Sequence, residues 1–298
     1  MSGKESEIRY SFINKLQSLM LEELLVEDLD RIYMPMANLI SEGLNTAAKT
    51  QIIGINGAQG AGKTTFANLL KVVLETGYGM KVALLSIDDL YFKRSEREKL
   101  AQKIHPLLIT RGVPGTHDIN LGERVLNKLC NAGPKDITRI PRFNKAIDDQ
   151  YPESEWDKFV GRPDVILFDG WFMGAIEQPE SDLKEPINKL EEFEDPDAIW
   201  RSYVNEQLKT IYKPFFEQLD LLVMLKVPSF DKIYEWRALQ EDKLRIRNQG
   251  QKKLRIMDNK ELERFIAHYE RLTRYILDEM PERADMLFKV NDNHRIYI

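Results

Sequence analysis

The sequence predicts an α/β fold: a five-stranded parallel sheet flanked by helices. Two observations predict it. Five short apolar runs recur along the chain, separated by longer stretches of helical periodicity. The first run leads straight into a glycine-rich loop followed by a helix pattern, the strand–loop–helix order of a phosphate-binding unit. With 298 residues, 43% of them hydrophobic, the chain can bury a core of this kind.

The elements follow in order. Phe12, Ile13, Leu16, Leu19 and Met20 share one helix face. Leu24, Leu25, Leu29, Ile32, Tyr33, Met36, Leu39 and Ile40 continue a second helix, which Pro35 interrupts near its middle. Residues 1–46 are expected to be a helical extension packed on a main domain of residues 47–298. The strands are Gln51–Asn56, Lys81–Ile87, Asp164–Phe168, Leu221–Val227 and Asp285–Val290, joined by right-handed crossovers. Two segments break the pattern. Ile176–Asp197 holds nine acidic residues, two lysines and three prolines, and reads as a solvated, flexible insertion. Lys243–Arg255 holds six basic residues and no acidic one. There is no internal repeat.

Composition excludes several classes. The net charge of −5 disfavours general nucleic-acid binding, which runs on phosphate neutralisation. The single cysteine, Cys130, permits no intrachain disulfide and no Cys-x-x-Cys metal site. No apolar run approaches the ~20 residues that span a bilayer, and the N-terminus lacks the layout of a signal peptide. The expectation is a soluble, cytoplasmic protein that binds neither membrane nor nucleic acid.

The strongest motif is Gly57-Ala58-Gln59-Gly60-Ala61-Gly62-Lys63-Thr64, a full match to G-x-x-x-x-G-K-[ST]. An apolar strand precedes it, and the helical pattern Thr65–Leu74 follows. This places the chain in the P-loop NTPase fold, with ATP and Mg²⁺ as its cofactors. The glycines let successive backbone N–H groups turn inward as an anion nest, and the helix N-terminus adds partial positive charge. Lys63 is expected to reach the β- and γ-phosphates as a catalytic cation, and the Thr64 hydroxyl to ligate Mg²⁺. Asp169 ends the strand before Gly170 and is the second candidate Mg²⁺ ligand; as an alternative it caps the next helix.

A P-loop alone does not choose among motors, GTPases and kinases. The second strand ends in Asp88-Asp89-Leu90-Tyr91. Either carboxylate can take the proton from an acceptor hydroxyl as it attacks the γ-phosphate, with the other capping the loop or positioning Mg²⁺. Tyr91 is placed with the acceptor residues. The loop Thr110–Asp118 packs Arg111, His117 and Asp118 together. Arg111 can bind a carboxylate or phosphate bidentately, and His117 can bond a hydroxyl. Asp118 can equally cap the helix from Leu121. Arg142 and Lys145 lie near a turn fixed by Pro141 and suit an anionic small-molecule acceptor; ordinary surface charge is the alternative reading. No aromatic base-stacking pair is visible near the acceptor loop, which disfavours a nucleoside. The helix Phe230–Arg247, the basic run and the helix Asn259–Glu279 form a basic lid at about residues 237–258, with Arg237, Arg245 and Arg247 as candidates for closing over triphosphate.

In order along the chain, GAQGAGKTT, SIDDLY, RGVPGTHD, PRFNK and FDGWFMG resemble the glycerate kinase-like P-loop kinases, a branch of the uridine kinase, phosphoribulokinase and pantothenate kinase group. The resemblance spans residues 30–298. It implies a sheet with the P-loop strand at its centre. It also implies phosphate transfer from ATP to a small acceptor, D-glycerate giving 3-phosphoglycerate. Asp88 matches the family's proposed general base, and Arg111, His117 and Asp118 match its acceptor loop. The chain departs from the family pattern at Asn144, where an acid is usual, and at Asp169-Gly170, where Glu-Gly is usual. Kinases for other acceptors, and an ATP-binding regulatory protein, are the competing readings.

Overall fold

A computed structural model describes residues 3–47, 49–247 and 259–297. The chain opens with α1 (Gly3–Ser18) and a π-turn (Leu29–Tyr33) leading into α2 (Met34–Ala47). Then come β1 (Gln51–Gly57), α3 (Lys63–Tyr78), β2 (Val82–Ser86), α4 (Arg94–Lys103) and α5 (Ile119–Cys130). Short strands β3 (Ile137–Ile140), β4 (Phe143–Asn144), β5 (Asp149–Gln150) and β6 (Asp157–Val160) precede β7 (Val165–Gly170), a strand of the main sheet. Helices α6 (Lys189–Glu194), α7 (Ile199–Gln207) and α8 (Lys213–Phe216) lead to β8 (Leu221–Lys226). The chain continues with α9 (Phe230–Arg247), α10 (Asn259–Glu279), β9 (Met286–Val290) and β10 (Ile296–Tyr297).

The main sheet runs β10-β9-β8-β1-β7-β2. Its five parallel strands are the five expected from the apolar runs, and the P-loop strand β1 is paired on both sides, by β7 and β8. The sixth strand was not expected. Ile296–Tyr297 adds an antiparallel edge to β9 after a tight turn and is too short to leave a periodic signal. The ribbons β3–β6 and β4–β5 were likewise unforeseen.

Strand alternation sorts the core into two faces. Ile53, Ile55, Val165, Leu167, Val223 and Leu225 point to one face, where they meet α1, α2, α3 and α9. Ile52, Ile166, Phe168, Leu222 and Met224 point to the other, under α5, α8 and α10. On the first face an aromatic chain runs Phe12–Tyr33–Phe66–Phe288, with ring centroids 5.1, 5.3 and 5.6 Å apart. The second helical stretch is irregular where Pro35 was expected to interrupt it. A wide π-turn (Leu29–Tyr33) runs directly into α2, with the Met34 N–H donating to the Leu29 carbonyl just before Pro35, which has no N–H to continue the regular ladder.

The acidic segment faces solvent along most of its length, as expected, but two of its acids, Glu191 and Asp195, are buried and tie it to the rest of the fold. Glu191 is fully buried and holds Arg271 of α10 through two bonds, 2.7 Å to Nε and 2.6 Å to Nη2. Asp195, also buried, pairs with Arg201 at 3.0 Å and accepts from the Trp200 N–H at 2.8 Å. Asn188 caps α6 by accepting from the Glu191 N–H at 3.0 Å. Among the described residues, no helix is long and apolar enough to cross a membrane.

Candidate active site

Register builds the site. Asp169 is paired with Ile55 on one side and Ser86 on the other, so β1, β7 and β2 end at one level. A cleft of about 370 Å³ opens there, at the carboxyl ends of the strands.

Its floor is the P-loop. Gly62 caps α3 with φ +89°, a left-handed conformation that a side chain resists. Gln59, Gly60, Lys63 and Thr64 line the cleft. Gly57, Ala58, Ala61 and Gly62 form the turn behind them, and Thr65 lies in the first turn of α3, outside the lining. The Lys63 ammonium donates to the carbonyls of Gly57 at 2.6 Å and Ala58 at 3.1 Å. Burial lowers its pKa, while Asp169 and Asp88 pull the other way. The Thr64 hydroxyl donates to Asp169 Oδ2 at 3.1 Å. Burial raises the Asp169 carboxyl, and Lys63 opposes that shift.

Asp88 stands on a 3₁₀ turn directly after β2 and lines the same cleft. Its Oδ1 accepts from the Tyr91 hydroxyl at 2.8 Å and its Oδ2 from the Lys145 ammonium at 2.6 Å. Burial pushes this carboxyl up, but Lys145, Tyr91 and Lys63 outweigh it, and the net shift is downward. Arg111 lines the cleft beside them, paired with Asp148. Arg237 enters from α9, its guanidinium 5.9 Å from the Phe265 ring. Trp236 of the same helix covers Gly60. Arg245 and Arg247 have side chains outside the described residues, as is the lid segment 248–258.

Four residues expected on the acceptor side stand behind the cleft wall instead. Asp89 turns away from Asp88 and accepts from Arg142 at 2.7 Å and from the Phe143 N–H at 3.0 Å. Arg142 is spent on Asp89 and Asp157. Asp118 caps α5 by accepting from the Leu121 N–H at 2.8 Å. His117 is buried between the rings of Tyr91 and Phe172, at 4.5 and 5.3 Å, with Nδ1 2.8 Å from the Tyr212 hydroxyl. Burial lowers its pKa to about 3, so the ring is neutral at physiological pH.

Sequence reasoning missed the aromatic wall. Trp171, Phe265 and Tyr269 line the cleft, with Trp171 and Tyr269 5.0 Å apart. They also hold the acceptor loop. Trp171 Nε1 donates to the Gly112 carbonyl at 2.9 Å and the Tyr269 hydroxyl to the Arg111 carbonyl at 3.0 Å. Gly112 has φ +136°, and a Cβ there would lie 2.2 Å from the Tyr269 hydroxyl, so only glycine fits. Trp171 lies within a string already singled out. Phe265 and Tyr269 carry only the i, i+4 spacing of any helix face.

No family model matches the chain. A kinase of Schizosaccharomyces pombe named mug58 is 31% identical over 228 residues, covering 73% of this chain and 78% of that one. The chain belongs to the glycerate kinase-like P-loop kinases. The chloroplastic D-glycerate 3-kinase of Arabidopsis thaliana is 30% identical over 225 residues, 73% of this chain but 46% of that protein, so the match spans less than half of the plant enzyme. Among solved structures, a D-glycerate 3-kinase from Cryptococcus neoformans superposes with TM-score 0.71 at 24% identity, covering 90% of this chain and 98% of that one. This kinase-family membership supports ATP-dependent phosphoryl transfer as the chemistry of the cleft.

Proposed function

We propose that this protein transfers the γ-phosphoryl group of ATP to the 3-hydroxyl of D-glycerate. The observation that carries the proposal is the position of Asp88. It is a carboxylate ending β2 in the same cleft as Lys63 and Thr64, with Arg111 and Lys145 beside it. A carboxylate facing a phosphate cradle is what a hydroxyl acceptor needs and what an ATP-binding regulator has no use for. The name of the Arabidopsis relative supports glycerate as the acceptor.

In this reading the triphosphate lies in the P-loop nest, and Lys63 leaves the loop carbonyls to neutralise charge on the transferred phosphoryl group. Thr64 and Asp169 offer two hard oxygen donors, which suits Mg²⁺, an ion that takes few protein ligands and completes its shell with phosphate and water. When bound, the ion neutralises phosphate charge. Asp88 accepts the hydroxyl proton, the oxygen attacks the γ-phosphorus, and ADP leaves. Arg111 and Lys145, both lining the cleft, offer the positive charge that an acceptor carboxylate needs. The aromatic wall favours a second reading, an acceptor with a flat ring such as a nucleoside. The test is product identification by ³¹P NMR after incubation with Mg-ATP and D-glycerate. The proposal expects 3-phosphoglycerate; a 2-phosphate, or turnover of uridine instead, overturns it.

A further inference from the structure

The Asp88 carboxylate has both oxygens engaged, one by the Tyr91 hydroxyl at 2.8 Å and one by the Lys145 ammonium at 2.6 Å. A cation bonded to a carboxylate stabilises its charged form and weakens it as a proton acceptor. Arg111, which lines the cleft, and Arg142, which stands behind it, have carboxylate partners outside the cleft lining: Asp148 for Arg111, and Asp89 and Asp157 for Arg142. Lys63 is held by the P-loop carbonyls, and Arg237 lies by the Phe265 ring. Lys145 is paired with the candidate base itself.

Its backbone is held by a turn, and its side chain reaches from there to Asp88. Lys145 opens the four-residue turn between β4 and β5. Asn144 fixes that turn by accepting from the Ala146 N–H at 3.0 Å, and Asp148 ties its far end to Arg97 at 3.0 Å and to Arg111. This gives Asn144 a structural task that an acid would perform equally well. The Lys145 side chain is 60% exposed, so its four-carbon stem can pivot about this fixed point within the cleft it lines.

We propose that Lys145 senses the acceptor's carboxylate. It occupies Asp88 Oδ2 until an acid enters, then moves to the entering carboxylate and leaves Oδ2 to the acceptor hydroxyl. The hydroxyl proton passes to Oδ2, and its oxygen bonds to the γ-phosphorus. The bond from that phosphorus to the β–γ bridging oxygen breaks, and ADP leaves. A neutral polyol or a water molecule offers Lys145 no counter-charge and meets a masked base. Selectivity for a hydroxy acid is then set at the chemical step as well as in binding. This inference rests on reading the acceptor as a hydroxy acid.

The test compares kcat/KM for D-glycerate and glycerol in the native protein, Lys145→Met and Lys145→Arg. The native protein is expected to prefer D-glycerate. Lys145→Met narrows that preference by about tenfold or more, the loss of one charge-assisted contact, because turnover of D-glycerate falls further than turnover of glycerol. Lys145→Arg keeps most of the preference. Equal losses with both acceptors, or an unchanged ratio, overturn the inference. If the native protein ignores D-glycerate, the glycerate reading fails on its own, and the ratio is taken on the acid it does use and that acid's amide. A preferred acceptor without a carboxylate overturns the inference as well.

Discussion

The Thr64 hydroxyl donates to Asp169 Oδ2 at 3.1 Å, joining the first turn of the P-loop helix to the end of the neighbouring strand. The two oxygens come from elements about 100 residues apart and meet because β7 pairs with β1 in a register that puts Asp169 opposite Ile55. A carboxylate whose pKa burial raises is costly for the fold, so its placement here calls for a functional reason.

Asp169→Asn is therefore expected to lower turnover by about 10²-fold and to raise the Mg²⁺ concentration needed for half-maximal rate. It removes a buried charge, so the melting temperature is not expected to fall. Mg²⁺ titrations of steady-state rate, with calorimetric melting of both proteins, check the pair of outcomes.

Lys63→Ala removes the charge poised under the transferred phosphate. Turnover is expected to drop by at least about 10²–10³-fold. Single-turnover kinetics at saturating ATP separate this loss from weaker nucleotide binding.

Asp88 and Asp89 are adjacent in sequence and opposite in task. Asp88→Asn should leave ATP binding intact and cut phosphoryl transfer by about 10²–10⁴-fold. Asp89→Ala should lower stability by removing the acceptor of Arg142 and of the Phe143 N–H, with a smaller effect on transfer. Near-normal turnover in Asp88→Asn would sink the assignment of the base.

Which of the two acids faces the cleft was not legible from sequence, because neighbouring side chains on a 3₁₀ turn leave in different directions. The P-loop, its strand and its helix were legible because each is a contiguous string with local physics. The five parallel strands were legible for the same reason. The solvated character of the acidic segment was legible, but its buried anchor was not, because composition cannot show that Glu191 meets Arg271, 80 positions away. Phe265 and Tyr269 stayed hidden because only the packing of α10 brings them to the cleft. His117 looked polar and reactive in its loop, yet the rings around it come from Phe172 and Tyr212 far along the chain.

His117 and His268 also set the acid sensitivity of the fold. Burial lowers their pKa values to about 3 and about 4, against an ordinary value of 6.5. Above pH 6.5 both are neutral folded or unfolded and add no pH dependence. Below it the unfolded chain binds protons that the folded one refuses, so stability falls with pH until the folded values are reached. At pH 5 each costs about 2 kcal/mol. Urea unfolding at pH 7 and pH 5 should show a smaller loss in His117→Phe than in the native protein.

The Glu191–Arg271 pair anchors the acidic segment to the helix that carries the aromatic wall. Glu191→Ala leaves a buried guanidinium without its carboxylate and should cost about 3–5 kcal/mol. Replacing both residues with apolar ones should recover much of that loss in urea unfolding.

The central claim is acceptor-dependent phosphoryl transfer, and ADP release tests it most directly. The protein is mixed with Mg-ATP and, separately, D-glycerate, L-glycerate, uridine, pantothenate, ribose and glucose. Strong stimulation by D-glycerate alone is the predicted result. Stimulation by another acceptor would contradict the glycerate reading and keep the kinase. No stimulation by any of them, with ATP still bound, would contradict the account of Asp88 as a base facing an acceptor.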